Sequence, residues 1–197
     1  ASDNVYLGGE PSSALGITTA GAFDVTLGGI KDVFLVKFDA GGIRQWATYY
    51  GGAGDEEGGY VVTDAAGSVF LAGDTYSAAG VASGGFDNTY NGTENSFLAE
   101  FDAAGSRLCA TYYGQMHEEF ACVAVGASGN VYLAGSADSP AGIASGGFDN
   151  TLAGSYDAFL VKFGPCVPPL SVELLSFTGE CTLGKVQLHW STATETN

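Results

Sequence analysis

Carboxylates recur along this chain at a fixed spacing, and they are the side chains best suited to do chemistry. Asp55, Glu56 and Glu57 are consecutive in a glycine-flanked run that reads as an inter-strand loop, Glu118 and Glu119 stand in the next such loop, and Asp24, Asp87 and Asp149 each follow a phenylalanine in a glycine-rich stretch. Calcium takes several oxygens from carboxylates and backbone carbonyls, so these residues are the candidate ligands. Calcium is the one candidate cofactor, and none is required. The net charge of −16 at pH 7 would favour a bound cation. A second reading stands beside it: no D-x-D-x-D-G loop is present, and Asp or Glu at turns also orients loops by accepting backbone N–H bonds.

Catalysis by these groups is not expected. A hydrolytic carboxylate pair is asymmetric, one member held protonated and one ionised, whereas these groups repeat copy by copy as structural features do. The two histidines, His117 and His189, lie far apart, His117-Glu118-Glu119 lacks a second histidine for a metal, and no serine sits in a G-x-S-x-G setting. The expectation is a protein without enzymatic activity. Paired tyrosines, Tyr49-Tyr50 and Tyr112-Tyr113, offer another chemistry, because sugar rings stack on aromatic faces. Adjacent strand residues face opposite sides, so Tyr50 and Tyr113 are candidate glycan contacts, with core packing of all four as the alternative. Asn91-Gly92-Thr93 matches a glycosylation sequon.

Charge and composition narrow the partners. The six basic residues, Lys31, Lys37, Arg44, Arg107, Lys162 and Lys185, are scattered singly, which excludes nucleic acid and argues against acidic lipid headgroups. With 46% hydrophobic residues, twelve Phe and ten Tyr, the chain departs from the composition of disordered segments. It contains no apolar run long enough for a membrane-spanning helix.

Positioning these residues falls to an internal repeat. NVYLGG at Asn4, SVFLAG at Ser68 and NVYLAG at Asn130 recur, and FLVKF, FLAEF and FLVKF begin at Phe34, Phe97 and Phe159, steps of 63 and 62. One copy reads as four short strands, YVVTD, SVFLAGD, SFLAEFD and RLCATYYG. Asp-Ala-Ala-Gly at 64–67 and 102–105 suits tight hairpins, since Asp bonds its own turn and Gly takes positive φ. Strands apolar on both sides suit sheets stacked face to face. Copies fall at about 1–58, 59–120 and 121–164. The first lacks its opening strand and the third its closing one, giving ten strands, about 2.5 four-stranded blades, too few to close a ring. The expectation is therefore a fragment of a longer product, or open edges filled by neighbouring copies. Cys109 and Cys122 replace Trp46 and Tyr60 of the preceding copy and are expected to be buried packing thiols.

The motifs FLVKFDAGG, ATYYGG, GDEEGG, TDAAGSVFLAG and GGFDNT resemble the bacterial β-propeller repeat family abbreviated SBBP, over about residues 1–164. The resemblance implies an all-β fold of tandem four-stranded antiparallel propeller blades and no shared catalytic activity. After a Pro-rich linker at 165–169, residues 170–197 (VELLSFTG, VQLHWSTATE) resemble the start of the immunoglobulin-like β-sandwich segment that precedes a sorting domain in secreted Bacteroidetes proteins, which implies a type IX secretion route. In an exported chain Cys166 and Cys181, 15 residues apart, are candidates for a disulfide, two free thiols being the alternative. The implied role is an extracellular or cell-surface structural or adhesive module, with other copies of itself, other surface proteins or polysaccharide as partners. Two alternatives remain: a subunit that assembles into a filament or sheath by strand addition at its open edges, and an accessory region of a secreted hydrolase.

Overall fold

A computed structural model describes residues 3–144, 147, 149–164, 174–182 and 185–192. Among them the chain is all-β, and no helix is long and apolar enough to cross a membrane. Three antiparallel sheets follow one another along residues Ala1–Cys166, which form one compact unit, and Val167–Asn197 form another.

The first sheet has the order β1 (Val5–Gly9), β2 (Val33–Phe38), β3 (Arg44–Tyr50). The central sheet is a four-stranded meander of β4 (Glu56–Thr63), β5 (Val69–Thr75), β6 (Asn95–Phe101) and β7 (Arg107–Tyr113). The third comprises β8 (Glu118–Val125), β9 (Val131–Ala137) and β10 (Asp157–Phe163). In the second unit β11 (Leu174–Thr182) pairs antiparallel with β12 (Lys185–Thr192), setting Phe177 opposite Trp190.

Turn chemistry closes the hairpins as the sequence implies. Asp102 Oδ1 accepts the N–H groups of Ala104 and Ser106, each at 2.9 Å, and Gly105 takes φ +89°, a value that costs a side chain but not glycine. Asp39 builds the same turn between β2 and β3. The strand ladder is interrupted at two repeated places: between Lys37 and Phe38 and between Glu100 and Phe101, and between Gly58 and Tyr60 and between Glu119 and Cys122.

The core has two layers because the central sheet is apolar on both faces. On one side Val69, Leu71, Phe97, Ala99 and Phe101 pack with Val33, Leu35 and Tyr50 of the first sheet. On the other, Phe70, Ala72 and Leu98 pack with Ala121, Val123, Leu133 and Phe159 of the third. Every residue of β5 and β6 is buried. The flanking sheets each bury one face only: Val5 and Leu7 are more than half exposed, and Leu160 is 73% exposed.

Three sequence expectations need correction. The Glu56-Glu57 and Glu118-Glu119 pairs begin β4 and β8 instead of lying in inter-strand loops. Cys122 is exposed: it alternates with Ala121 and Val123, which face the central sheet, so it points away from the packed side. Cys109 is buried, at 2% exposure, but it is half of a disulfide and not a packing thiol. The pairing expected between Cys166 and Cys181 concerns side chains outside the described residues.

Phe97→Ala should lower stability by about 3–5 kcal/mol, and Leu160→Ala should change it by less than about 0.5 kcal/mol, in urea unfolding followed by circular dichroism. Alkylation without reductant, followed by peptide mass mapping, should label Cys122 and spare Cys109; labelling of both would remove the bridge.

Candidate functional site

The recurring carboxylates are occupied by the chain itself. Glu56, 0% exposed, accepts the Gly52 N–H at 3.0 Å and the Thr75 hydroxyl at 2.5 Å. Burial pushes its carboxyl above the ordinary value, while hydrogen bonds from Ser77, Thr75 and Gly52 hold it back. Glu118 repeats the arrangement one copy later: it is equally buried and accepts from Ser139 Oγ at 2.7 Å, Asn95 Nδ2 at 3.1 Å and the Gln115 N–H. Each therefore ties the start of one sheet's first strand to the loops around it.

The neighbouring acids do smaller versions of the same task. Asp55 Oδ1 accepts from the Ile30 and Lys31 N–H groups, and Glu57 pairs with Lys31 Nζ at 2.5 Å. Asp24, Asp87 and Asp149 each accept the N–H two residues on, from Thr26, Thr89 and Thr151, at 2.8, 2.8 and 2.9 Å. The Thr151 hydroxyl and N–H hold the Asp149 carboxyl below its usual range. Glu119 lies in β8, its side chain outside the described residues. The candidate ligands are thus spread over separate turns, and among the described residues no group of three or more His, Cys, Asp or Glu is arranged to hold a metal.

A second recurring set escapes the sequence reading because its residue type changes. Asp32 accepts the Gly28 and Gly29 N–H groups, Asn95 accepts that of Asn91, and Asp157 accepts that of Ala153. These three residues occupy equivalent positions and clamp the glycine-rich loop just before the strand that follows it.

The tyrosine pairs are clamps as well. Tyr50 is fully buried and donates to the Val81 carbonyl, so it offers no ring to a sugar. Tyr113 is half-buried, its ring centroid 5.2 Å from Phe159 and 5.8 Å from Phe163, and it donates to the Ile143 carbonyl. Both sit on the face of their sheet that packs on the next; burial removes Tyr50 as a glycan contact, whereas Tyr113 also lines the open cleft beside β10. Tyr49 and Tyr112 reach the other way, to the Ser13 and Ser77 carbonyls. Asn91 of the sequon is half-buried and its side-chain amide donates to the Thr89 carbonyl.

One cluster has the residue types of acid–base chemistry and was not foreseen. Glu94, 3% exposed, lies 2.8 Å from His117 Nε2, and the Tyr156 hydroxyl lies 3.1 Å from His117 Nδ1. Tyr76 bonds to Glu94, and burial pushes its phenol well above the usual range. The signal was hidden because Glu94 and Tyr156 are far from His117 in sequence and neither recurs. The cluster joins the end of the central sheet's loop to the start of β8.

The last strand of the first two sheets, β3 or β7, is held by its own glycine-rich loop. Thr48 Oγ1 accepts the Asp24 N–H and donates to its carbonyl, and Thr111 does the same with Asp87. Arg44 donates to the Gly16 and Ile17 carbonyls, and Arg107 to those of Gly80 and Val81. In the third sheet the corresponding loop and β10 enclose an open cleft of about 710 Å³ instead, lined among others by Ser139, Gly142, Ile143, Asp149, Phe159 and Val161.

No protein-family model matches this chain, and no curated protein matches it.

The Glu56 carboxyl gives a pH test. Its folded-state value is raised above 4.5, so the stability it contributes is complete below about that pH and is lost as pH rises through the folded value. Glu56→Gln should therefore gain stability relative to the native chain between about pH 4 and pH 7. Glu56→Ala, which strands the Gly52 N–H and Thr75 hydroxyl, should cost about 1–3 kcal/mol at either pH. Thermal melts across that range check both signs.

Proposed function

We propose that this chain is a non-enzymatic, extracellular structural or adhesive module, a tandem-repeat segment of propeller-blade type from a larger secreted or cell-surface protein. The observation that carries the reading is the use of its recurring polar side chains. Glu56 and Glu118, the three aspartates of the glycine-rich loops, the two arginines and the paired tyrosines all spend their hydrogen bonds on the chain's own backbone and loops. The Cys109 disulfide supports an oxidising compartment, and glycine-rich loops on a rigid sheet scaffold are where binding surfaces usually sit. On this reading the hairpin of β11 and β12 begins an immunoglobulin-like segment, and the carboxylates need no calcium.

A second reading, assembly through strand addition, is supported by the edges. β1 and β10 are each the terminal strand of a sheet, and exposed edges are templates for pairing.

Among the described residues the Glu94–His117–Tyr156 cluster is the place to test for activity. The purified chain should show no turnover above background on ester, glycoside and peptide substrates. Turnover that disappears in His117→Ala would overturn the non-enzymatic reading.

A further inference from the structure

The cleft beside β10 corresponds, residue by residue, to the place the fourth strand occupies in the other two sheets. β3 and β7 both have the sequence R-x-x-A-T-Y-Y. Each is held on one side by the ladder to its neighbour, β2 or β6, and on the other by three contacts to its loop. The arginine reaches two successive carbonyls, of Gly16 and Ile17 for β3 and of Gly80 and Val81 for β7. The threonine hydroxyl bridges the N–H and carbonyl of the loop aspartate. The first tyrosine of the pair reaches a serine carbonyl, Ser13 or Ser77.

The third sheet keeps the receiving half of this arrangement. Gly142 and Ile143, Asp149 and Ser139 are the equivalents of the three acceptor positions, and all four line the cleft together with β10. The Ile143 carbonyl already takes the Tyr113 hydroxyl, just as the Val81 carbonyl takes that of Tyr50 while also accepting from Arg107. β10 ends its sheet, and among the described residues no strand pairs with its outer edge.

We propose that this cleft is a docking site for an added β-strand of R-x-x-A-T-Y-Y type, which completes the third sheet as β3 and β7 complete the others. The register follows from the two existing ladders, in which Val36 opposes Ala47 and Ala99 opposes Ala110. Val161 then opposes the alanine of the incoming strand, and Leu160 its threonine. The arginine fills the Gly142 and Ile143 carbonyls, the threonine bridges Asp149, and the first tyrosine reaches Ser139. Main-chain bonds along the edge supply affinity and these side chains supply the choice of partner. The occupant is an extended segment of the same repeat type, supplied from outside residues 1–197. The proposal rests on the repeat-scaffold reading and makes its open edge specific.

The probe is a fluorescein-labelled peptide with the sequence of residues 44–51, RQWATYYG, titrated into the full chain and followed by anisotropy. Saturable binding is expected, together with new hydrogen-exchange protection at residues 157–163. Replacing Arg44 by Ala or Thr48 by Val within the peptide should each weaken binding by about tenfold. Equal binding of a scrambled peptide, or no binding at millimolar peptide, would overturn the proposal. So would a self-associated chain in light scattering that the peptide does not dissociate, because a second copy would then hold the edge. Turnover assays report on the scaffold reading separately, so failure of the peptide to bind leaves that reading standing.

Discussion

The burial of a sheet on both faces is the constraint on which this molecule depends. β5 and β6 bury every residue they contain, and a strand with no wet face cannot alternate polar and apolar side chains. The central sheet therefore exists only between two others. Leu71 and Phe97 are shared with the first sheet, Phe70 and Leu98 with the third, and each large side chain removed from water is worth about 1.5–3 kcal/mol. The same rule leaves the flanking sheets half satisfied, which is why Leu7 and Leu160 stand exposed on sheets whose other faces are packed.

This acidic chain places carboxylates fully inside, at the seams between sheets. Glu56 and Glu118 are fully buried, and both are met by hydroxyl and N–H donors instead of by basic side chains. Hydrogen bonding to neutral donors costs less desolvation than a buried ion pair, since a single charge is taken out of water. For Glu56 burial still wins, and the carboxyl is raised. The seams are thus held by geometry more than by charge, and three of the six cations are used on carbonyls: Arg44 and Arg107 on loop carbonyls, Lys37 on the Ala103 carbonyl at 2.7 Å.

How much could be read in advance follows from which interactions are local. The ten strands of the three sheets and their grouping as three, four and three were legible, because the repeat displays each strand more than once and Asp-x-x-Gly turns bound them. The GDEEGG run misled. Its glycines read as loop, yet Gly58 and Gly59 lie inside β4 at positive φ, beside an irregularity in the ladder between Gly58 and Tyr60. The recurrence of Glu56 and Asp24 was visible, but recurrence alone does not say whether a carboxylate faces an ion or its own turn. Asp32, Asn95 and Asp157 were missed for the opposite reason: the acceptor oxygen is what repeats, and an amide supplies it as well as an acid does. The Glu94–His117 contact joins the residue before β6 of the central sheet to the residue before β8 of the third, and neither residue recurs, so the repeat does not announce it.

The loops explain why the open edge at β10 differs from an ordinary exposed strand. In the first two sheets the glycine-rich loop doubles back to pair with the fourth strand, Thr19 with Ala47 and Ser83 with Ala110 through their backbones, so the outermost strand never presents a free row of donors and acceptors. This is edge protection by covering, and it requires both loop and strand. A loop that keeps its glycines, its turn-forming Asp149 and its backbone carbonyls, with no strand under it among the described residues, is half of a two-part device. Its acceptors are fixed by the same turn chemistry that positions them in the other copies, so much of the ordering cost of receiving a strand is already met on the chain's side.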